Sequence, residues 1–199
     1  LMTVDYKDII ETNYVLSYKL HYALSLVKPN DGYYVSRLAD IIKIEQRTKN
    51  NASYGLIQGN YRFYTNSNGS YQFINTPFYK NMTIICSESF QSKLNIDNNY
   101  SCTKHFHNFS SKIKKISTEF IYYYLKQSIF LIDMLYIGTI IPNLNRFFLS
   151  SLKIHVPKDT KQMEIIKRRH DKIQKYKDKL HSKTIDIENK INDLPIIKT

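Results

Sequence analysis

The chain has 199 residues, of which 42% are hydrophobic, and a formal net charge of +12 with a pI near 9.5. This length suits one globular domain with an appendage and is short for two full domains. Because excess like charge repels itself, a charge this large favours an anionic partner, so nucleic acid or an anionic membrane is the expected partner class.

The distribution of apolar residues disfavours a membrane location. No apolar run reaches the ~18 residues of a membrane-spanning helix, and the first residues lack the basic-then-apolar order of a signal peptide. We therefore expect an intracellular, cytoplasmic protein without a membrane partner. The two cysteines, Cys86 and Cys102, make no disulfide framework and are expected to be buried or idle thiols.

Residues 1–31 are predicted to form a lead-in or connector segment. From Tyr6 to Val27 the apolar residues recur at a loose helical spacing. The residues Pro29-Asn30-Asp31-Gly32 then have the chemistry of a turn, which sets the boundary with the next segment.

Residues 32–157 are predicted to form one mixed α+β globule. The segment alternates polar loops with short apolar runs rich in Tyr, Phe, Ile and Val, a pattern that predicts strands. A short helix is predicted from Arg37 to Ile42, and a longer one from Thr118 to Tyr136 starts at the cap-like sequence STEF. The runs with strand character are YYVSRLADII, YRFY, YQFI, MTIIC, NYSCT and LKIHV.

Residues 158–199 are predicted to form a single long coiled-coil helix and a tail. No Gly or Pro occurs over about 37 residues after Pro157, which predicts a helix of roughly 50 Å. Apolar residues follow a heptad register, although His170, Lys177 and Thr184 dilute one of its two columns. A stripe this narrow needs a second helix, from another chain or from the other half of a longer protein. The aliphatic column, which is the predicted helix-pairing interface, consists of Ile166, Ile173, Leu180, Ile187 and Leu194.

The sequence offers no convincing catalytic or metal site. Cys86, Cys102, His105 and His107 are ligand types that zinc prefers, but their spacing matches no common zinc finger, and exposed histidines on a basic strand are favoured instead. NTPFY, residues 75–79, resembles the loop with which amino-methyltransferases hold a target nitrogen, yet the cofactor-binding glycine motif is missing upstream. We therefore predict no catalysis, no metal and no cofactor.

A basic surface rich in amide and aromatic side chains is the feature that best predicts a function. Residues 45–64, EQRTKNNASYGLIQGNYRFY, contain Glu45 as the single acid, and residues 103–115, TKHFHNFSSKIKK, contain none. Lys and Arg bind phosphates through charge and counterion release, and Asn, Gln and Arg read base edges in the major groove. The candidate DNA-binding residues are Arg47, Lys49, Asn51, Tyr54, Arg62, Tyr64, Lys104, His105 and His107.

Several motifs follow one another in a defined order. Arg47-Thr48 is followed by Asn51-Ala52-x-Tyr54-Gly55 and by Tyr61-Arg62-Phe63-Tyr64-Thr65, then by NNYSCTKHFHNF and STEFIYYYLK. The last motif, GTIIPNLNRFFLSSLKIHVP, begins with the pattern Gly-x-x-Ile-x-x-Leu and ends with Ile-x-Val-Pro. In this order the motifs resemble the target-recognition domain and spacer helix of the specificity subunit of Type I restriction-modification systems. Gly55 and Gly59 are then predicted to be turn positions between strands.

The resemblance implies a non-catalytic module that binds double-stranded DNA in a sequence-specific manner. The globule would read one half of a split target site in the major groove. The long helix would set the spacing to the second half and dock the DNA methyltransferase subunit. A restriction subunit, and a second copy or second half of the specificity subunit joined through the helix, are the further partners that it implies.

The number of modules leaves the type of protein open. A complete specificity subunit of this family has two recognition domains and two spacer helices, whereas one of each is predicted here. Three types of protein fit one module of each kind: a half-subunit that dimerises, a fragment, and the tail of a fused N6-adenine DNA methyltransferase. The lead-in YKDIIETNYVLSYKLHY resembles the connector between adenine methyltransferase modules and a recognition domain, which favours a fusion or a shared operon.

Two alternatives belong to other functional classes. In the first, the chain is a structural adaptor whose helix mediates oligomerisation and whose globule binds protein. In the second, the tyrosines are stacking platforms for single-stranded RNA or DNA, which predicts a preference for single strands. A steep loss of binding to duplex DNA with rising salt, together with one preferred sequence, would favour double-stranded DNA over both.

Overall fold

A computed structural model gives the fold and describes Ile9 and residues 17–66, 72–89, 93–138 and 142–192. The chain divides after Thr160 into two compact units. The first is a mixed unit of helices and strands, and the second, called here the helical unit, begins at Lys161. Within the described ranges, no helix combines the length and apolar character that crossing a membrane requires.

The first unit contains short helices and strands in alternation. Its helices are α1 (Tyr18–Leu26), α2 (Leu38–Ile41), α3 (Thr118–Gln127), α4 (Ile129–Asp133) and α5 (Arg146–Ser151), and a 3-10 turn spans Ala52–Tyr54. Its strands are β1 (Tyr33–Arg37), β2 (Ile42–Ile44), β3 (Tyr61–Tyr64), β4 (Phe73–Ile74), β5 (Thr83–Ser87), β6 (Leu94–Asp97), β7 (Ser101–Cys102), β8 (Phe106–Ser111), β9 (Tyr136–Ile137), β10 (Asn143–Leu144) and β11 (Lys153–Pro157). The mixed helix and strand content agrees with the α+β prediction.

A four-stranded antiparallel sheet has the order β2-β8-β5-β6. Strand β5 is buried along its whole length, and residues 106–109 of β8 are buried beside it. Branched side chains such as those of Ile84 and Ile85 favour this pleated, buried setting. Because β8 lies between two neighbours, both of its edges are paired, and the side chains of residues 106–109 lie in the core.

A polar network is buried beside this sheet, with Asn108 at its centre. Its Oδ1 accepts a hydrogen bond from the Tyr100 hydroxyl at 2.9 Å, and its Nδ2 donates to the Tyr79 hydroxyl oxygen at 3.0 Å. The Tyr79 hydroxyl donates to the carbonyl of Gln46 at 2.8 Å. Since buried polar groups need partners, this network fixes where the loop around Gln46 lies against the sheet.

The two cysteines are buried and reduced, as expected. Cys102 belongs to an aromatic core cluster with Tyr79, Tyr100 and Phe106. Burial raises the pKa of the Cys86 thiol to about 12 and that of Cys102 to about 11. Both are therefore protonated at neutral pH and act as small apolar side chains.

The two ends of the predicted globule meet in an antiparallel strand pair. Strand β1 pairs with β11, so that Tyr33 lies opposite Pro157. The predicted turn before β1 is confirmed, because Gly32 has a φ of +79° and the Tyr33 amide donates to the Asn30 carbonyl at 3.1 Å. The Lys158 amide donates to the Gly32 carbonyl at 2.9 Å, which closes the same junction.

The helices of the first unit depart from the sequence prediction in α5 (Arg146–Ser151), which was not predicted, and at the end of α3. Helix α3 begins after Ser117, whose hydroxyl oxygen accepts a hydrogen bond from the Phe120 amide at 3.1 Å, as the STEF sequence predicted. The predicted continuous helix up to Tyr136 is wrong, because Ser128 has a ψ of 31° and separates α3 from α4. Tyr136 lies in strand β9 instead, where its hydroxyl donates to the Ser87 carbonyl.

The helical unit is one helix over its described length, called α6 (Thr160–Asn192). Ile166 is half-buried, whereas Ile173, Leu180 and Ile187 are exposed. Leu194, the last residue of the predicted aliphatic column, lies outside the described residues. Pairing of this helix in a coiled coil stays a prediction.

Candidate nucleic-acid interface

The structure brings four of the predicted DNA-binding residues into one open cleft. This basic cleft has a volume of about 470 Å³. Its basic residues come from two segments that are far apart in the sequence, the loop before the 3-10 turn and the turn between β7 and β8, and its acidic residue, Glu88, follows β5. The residues that line the cleft are Arg47, Thr48, Lys49, Glu88, Lys104 and His105.

Hydrogen bonds join these two segments to each other and to β3. Thr48 is buried, and its hydroxyl donates to the Cys102 carbonyl at 2.7 Å. The Lys104 amide donates to the Asn50 carbonyl at 3.0 Å, and the Thr103 amide donates to the Tyr64 carbonyl at 3.0 Å. The backbone that carries the exposed Lys side chains is therefore held at defined positions.

Arg47 is the cleft residue with the most defined side-chain position. Its Nη2 forms a charged hydrogen bond with Oε1 of Glu88 and lies 3.2 Å from Nδ1 of His107. The Arg47 side chain is 47% exposed, whereas that of Glu88 is 13% exposed. One side of the guanidinium is thus bound to the protein while the group still reaches solvent.

His107 corrects one expectation from the sequence. The histidines were expected to be exposed, and His105 is exposed, but the His107 side chain is only 2% exposed. Its Nε2 lies 2.9 Å from the Leu144 carbonyl. The reason is that both faces of β8 are covered at this point, since residues 106–109 are all buried, and that the polar atoms of the ring find partners in Leu144 and Arg47.

The electrostatics of His107 favour its neutral form. Burial lowers its pKa below the ordinary value of 6.5, and the cations of Arg47 and Arg146 act in the same direction, against the Leu144 carbonyl. In the neutral tautomer with a proton on Nε2, this atom donates to Leu144, and Nδ1 accepts a hydrogen bond from Arg47. His107 therefore orients Arg47 and is not itself available to a ligand.

Lys49, Lys104 and His105 are exposed in the cleft, as Arg47 is, but unlike Arg47 none of them is paired with an acid among the described residues. Glu88 balances the charge of Arg47, so the two lysines supply the uncompensated positive charge of the cleft at neutral pH. Flexible exposed ammonium groups interact with phosphate oxygens as mobile point charges. This arrangement can hold an anionic backbone.

A second group of candidates lies on β3, where Arg62 and Tyr64 line a cavity of about 250 Å³ with Phe73. The Tyr64 hydroxyl donates to Oδ2 of Asp97 at 2.8 Å. Burial and the Asp97 carboxylate raise the pKa of Tyr64, while Arg62, which is also hydrogen-bonded to it, acts in the opposite direction. Tyr64 is half-buried and Arg62 is exposed, so Arg62 is the more accessible of the two.

Asn51 and Tyr54 lie at the 3-10 turn, and both are exposed. The Tyr54 ring lies 6.1 Å from that of Phe63, so it is anchored at one side although it is 58% exposed. The turn that follows leads to Gly59, which has no positive φ. A Cβ there would lie 2.7 Å from the Ile74 carbonyl oxygen, so Gly59 is needed for a close backbone approach.

The acid-free run TKHFHNFSSKIKK does not form one continuous basic surface. Lys104 and the lysine triplet Lys112, Lys114 and Lys115 lie at opposite ends of β8, roughly 20 Å apart at the rise of a strand. The Lys112 ammonium donates to the Ala39 carbonyl at 2.7 Å. The run therefore contributes only Lys104 and His105 to the basic cleft.

A family profile matches the chain over residues 30–193, and its description is "Type I restriction modification DNA specificity domain". The chain belongs to this family. The match includes every described residue of the basic cleft and most of α6. No curated protein matches the sequence at a significant level.

Solved structures share the fold at low sequence identity. The S subunit of a Type I restriction-modification system from M. genitalium has a TM-score of 0.69 and 18% identity, with 84% of this chain and 46% of that chain covered. The HsdS subunit from Thermoanaerobacter tengcongensis has a TM-score of 0.52 and 12% identity, with 85% and 43% covered.

A third structure, described as the basis of complex assembly and conformational transition of the type I R-M system, has a TM-score of 0.58 and 12% identity. It is matched over 94% of this chain and 50% of that chain. The chain thus spans about half the length of the structures that it matches. At these identities the likeness concerns the fold.

Sequence reasoning missed Glu88, which contributes an acid to the basic cleft. Glu88 is 41 positions from Arg47, and no local pattern in the sequence links the two residues. The only sequence signal was an acidic residue just after the strand-like run MTIIC. Across the described residues, no group of three His, Cys, Asp or Glu could hold a metal ion.

Proposed function

We propose that this chain binds double-stranded DNA in a sequence-specific manner, as the non-catalytic recognition component of a Type I restriction-modification complex. Residues 32–157 would be the target-recognition domain, with residues 1–31 as the connector and residues 158–199 as the spacer helix and tail. The match of the family profile to residues 30–193 carries this proposal. The same match favours DNA recognition over an adaptor that binds only protein and over a module for single strands.

The basic cleft supports the proposal physically. Lys49 and Lys104 would contact phosphates, and the release of counterions would supply salt-dependent affinity. Arg62, Asn51 and Tyr54 lie on the segment that leads into and forms β3, and they would extend the contact surface beyond the cleft. The net charge of +12 adds long-range attraction to the duplex.

The long helix would connect the recognition domain to its partners. The exposed column of Ile173, Leu180 and Ile187 on α6 needs an apolar partner, and a second spacer helix with the same heptad register would cover it. That helix would come from a second copy or from a second half of the specificity subunit. A DNA methyltransferase subunit, with a restriction subunit in the larger complex, would be the catalytic partner in the cytoplasm.

Binding of labelled nucleic acids to the full chain tests this proposal. We expect duplex DNA to bind more tightly than single-stranded DNA or RNA, with affinity falling steeply as salt rises. Competition by a random-sequence duplex then separates specific from general binding. Absence of duplex binding at low salt would contradict the proposal, and a preference for single strands would support the stacking alternative.

A further inference from the structure

We propose that Asn51 reads an adenine in the major groove of the bound duplex, beside the phosphate contact of Lys49. This inference rests on the proposed DNA-binding function and adds the base that one residue of the interface recognises. It assigns a specificity-determining role to Asn51 and separates it from the lysines of the basic cleft, because phosphate contacts carry no sequence information directly.

Two residues just before Asn51 fix this segment to strand β7. The Thr48 hydroxyl donates to the Cys102 carbonyl at 2.7 Å, and Nδ2 of Asn50 donates to the Ser101 hydroxyl oxygen at 3.2 Å. The two acceptors belong to consecutive residues of β7. The segment therefore runs along this strand at a defined position.

Asn51 and Lys49 lie on the opposite, outer side of the same segment. Burial alternates over residues 47–51 in the order exposed, buried, exposed, half-buried, exposed. Successive side chains of an extended chain point to opposite sides, and Asn51 itself has extended dihedrals, with φ −95° and ψ 172°. Asn51 therefore presents its side chain on the same side as Lys49, which lines the basic cleft.

The Asn51 side chain is exposed and does not cap the 3-10 turn that follows it. An Asn at the start of a helical turn usually accepts a hydrogen bond from a backbone amide. Here the Tyr54 amide donates to the Asn51 carbonyl at 3.1 Å instead, and none of the residues that the structure describes is hydrogen-bonded to the Asn51 side chain. The backbone is thus held, while Oδ1 and Nδ2 are available to a ligand.

A side-chain amide in this state matches the major-groove edge of adenine. Adenine presents the N6 donor beside the N7 acceptor, and Oδ1 and Nδ2 of one Asn bind both atoms at once. Guanine presents two acceptors, O6 and N7, so Oδ1 would face another acceptor there. A phosphate also offers only acceptors, and Lys49 supplies the positive charge that attracts it. Asn51 is therefore suited to a base, and to adenine in particular.

Asn51→Ala tests this role, because it removes the amide and leaves the charge of the interface unchanged. The wild-type chain is first used to select its preferred half-site from a random duplex pool, and that half-site is expected to contain an adenine. For Asn51→Ala we expect discrimination at one adenine to fall by roughly 5- to 150-fold, while the other positions keep their preference. Asn81→Ala removes an exposed amide at a different cavity and is the matched control, which should leave discrimination unchanged.

Lys49→Ala distinguishes a base contact from a contact to the DNA backbone. It should weaken binding to all sequences about equally and reduce the slope of affinity against salt by about 1. If Asn51→Ala also weakens binding to all sequences equally, Asn51 contacts the DNA backbone and the inference is wrong. Unchanged affinity and unchanged base preference for Asn51→Ala would contradict it as well.

A modified base gives a second measurement, made on the wild-type protein and on Asn51→Ala. Replacing each adenine of the half-site in turn with 7-deazaadenine removes the N7 acceptor. We expect the affinity of the wild-type chain to fall at one position, where Asn51→Ala shows no further loss. Unchanged affinity at every adenine, equal losses in the two proteins, or a half-site without adenine would overturn the inference alone. If the pool yields no enriched half-site, the proposed function itself fails, so the two failures are distinguishable.

Discussion

The Nη2 atom of Arg47 lies 3.2 Å from Nδ1 of His107, although the two residues are 60 positions apart in the sequence. His107 is buried in strand β8, and Arg47 lines the basic cleft. The orientation of an exposed cation is therefore set by a side chain in the core. Changes in the protonation of His107 should act on stability and on the surface together.

The first prediction concerns the stability of the protein as a function of pH. The pKa of His107 is lower in the folded protein than its ordinary value of 6.5, chiefly because of burial. Below that value the unfolded chain takes up a proton that the folded protein excludes, so the free energy of unfolding should fall as pH drops below 6.5 and on through the folded pKa. Urea denaturation between about pH 5 and pH 8 measures this dependence.

His107→Gln provides the control for that titration. Glutamine removes the titratable ring and keeps an amide that can donate to the Leu144 carbonyl. The variant should be less stable at neutral pH, with a shallower loss of stability in acid. Equal slopes for the two proteins below pH 6.5 would show that His107 is not the group that titrates.

The second prediction concerns Gly59, where backbone packs closely on backbone. Because a Cβ would lie 2.7 Å from the Ile74 carbonyl oxygen, Gly59→Ala must displace β4 or the loop before β3. We expect a loss of roughly 1–3 kcal/mol in the free energy of unfolding. Gln58→Ala, at the exposed neighbouring position, should stay within about 0.5 kcal/mol. Equal stability of the two variants would show that the close approach of Gly59 to the Ile74 backbone does not require a glycine.

The sequence predicted the parts of this fold that depend on local chemistry. The turn at Gly32, the cap at Ser117 and most strands rich in Tyr, Phe and Ile are present where their residue types favour them. The break at Ser128 was missed, because the apolar stripe continues through it into α4.

The candidate site was predictable in its residue types but not in its geometry. The motif around Arg47 and the segment around Lys104 were both identified, and the structure brings them together in the basic cleft. The prediction that His107 is exposed was wrong, because the hydrogen-bonding groups of a polar residue in a central strand can be satisfied by distant partners. Those partners, Glu88 and the Leu144 carbonyl, have no local signature in the sequence.

The third prediction separates the cleft from the distant lysines. Lys49→Ala and Lys104→Ala should each weaken duplex binding and reduce the slope of affinity against salt by about 1. Lys49→Ala combined with Lys104→Ala removes two charges, and Lys114→Ala combined with Lys115→Ala removes the same two charges at the opposite end of β8, where we expect a smaller effect. Binding titrations over a range of salt measure both pairs. Equal losses of duplex affinity for the two pairs would mean that the cleft is not the principal DNA contact.

The fourth prediction concerns the exposed column of helix α6. Ile173→Lys with Leu180→Lys should disperse an oligomer or release a methyltransferase subunit, because charge enters an apolar helix interface. Ser182→Lys adds charge at an exposed position outside the column and serves as the control. Light scattering and co-purification measure the two effects. Unchanged mass and unchanged co-purification for the double variant would argue against helix pairing.

The most direct test of the central claim is selection of bound duplexes from a random DNA pool by the full chain. A target-recognition domain should enrich one short half-site, and that duplex should bind at least ~10³-fold more tightly than unrelated sequence. Binding of all duplexes with equal affinity, or no retention of duplex DNA at low salt, would contradict sequence-specific recognition by this protein.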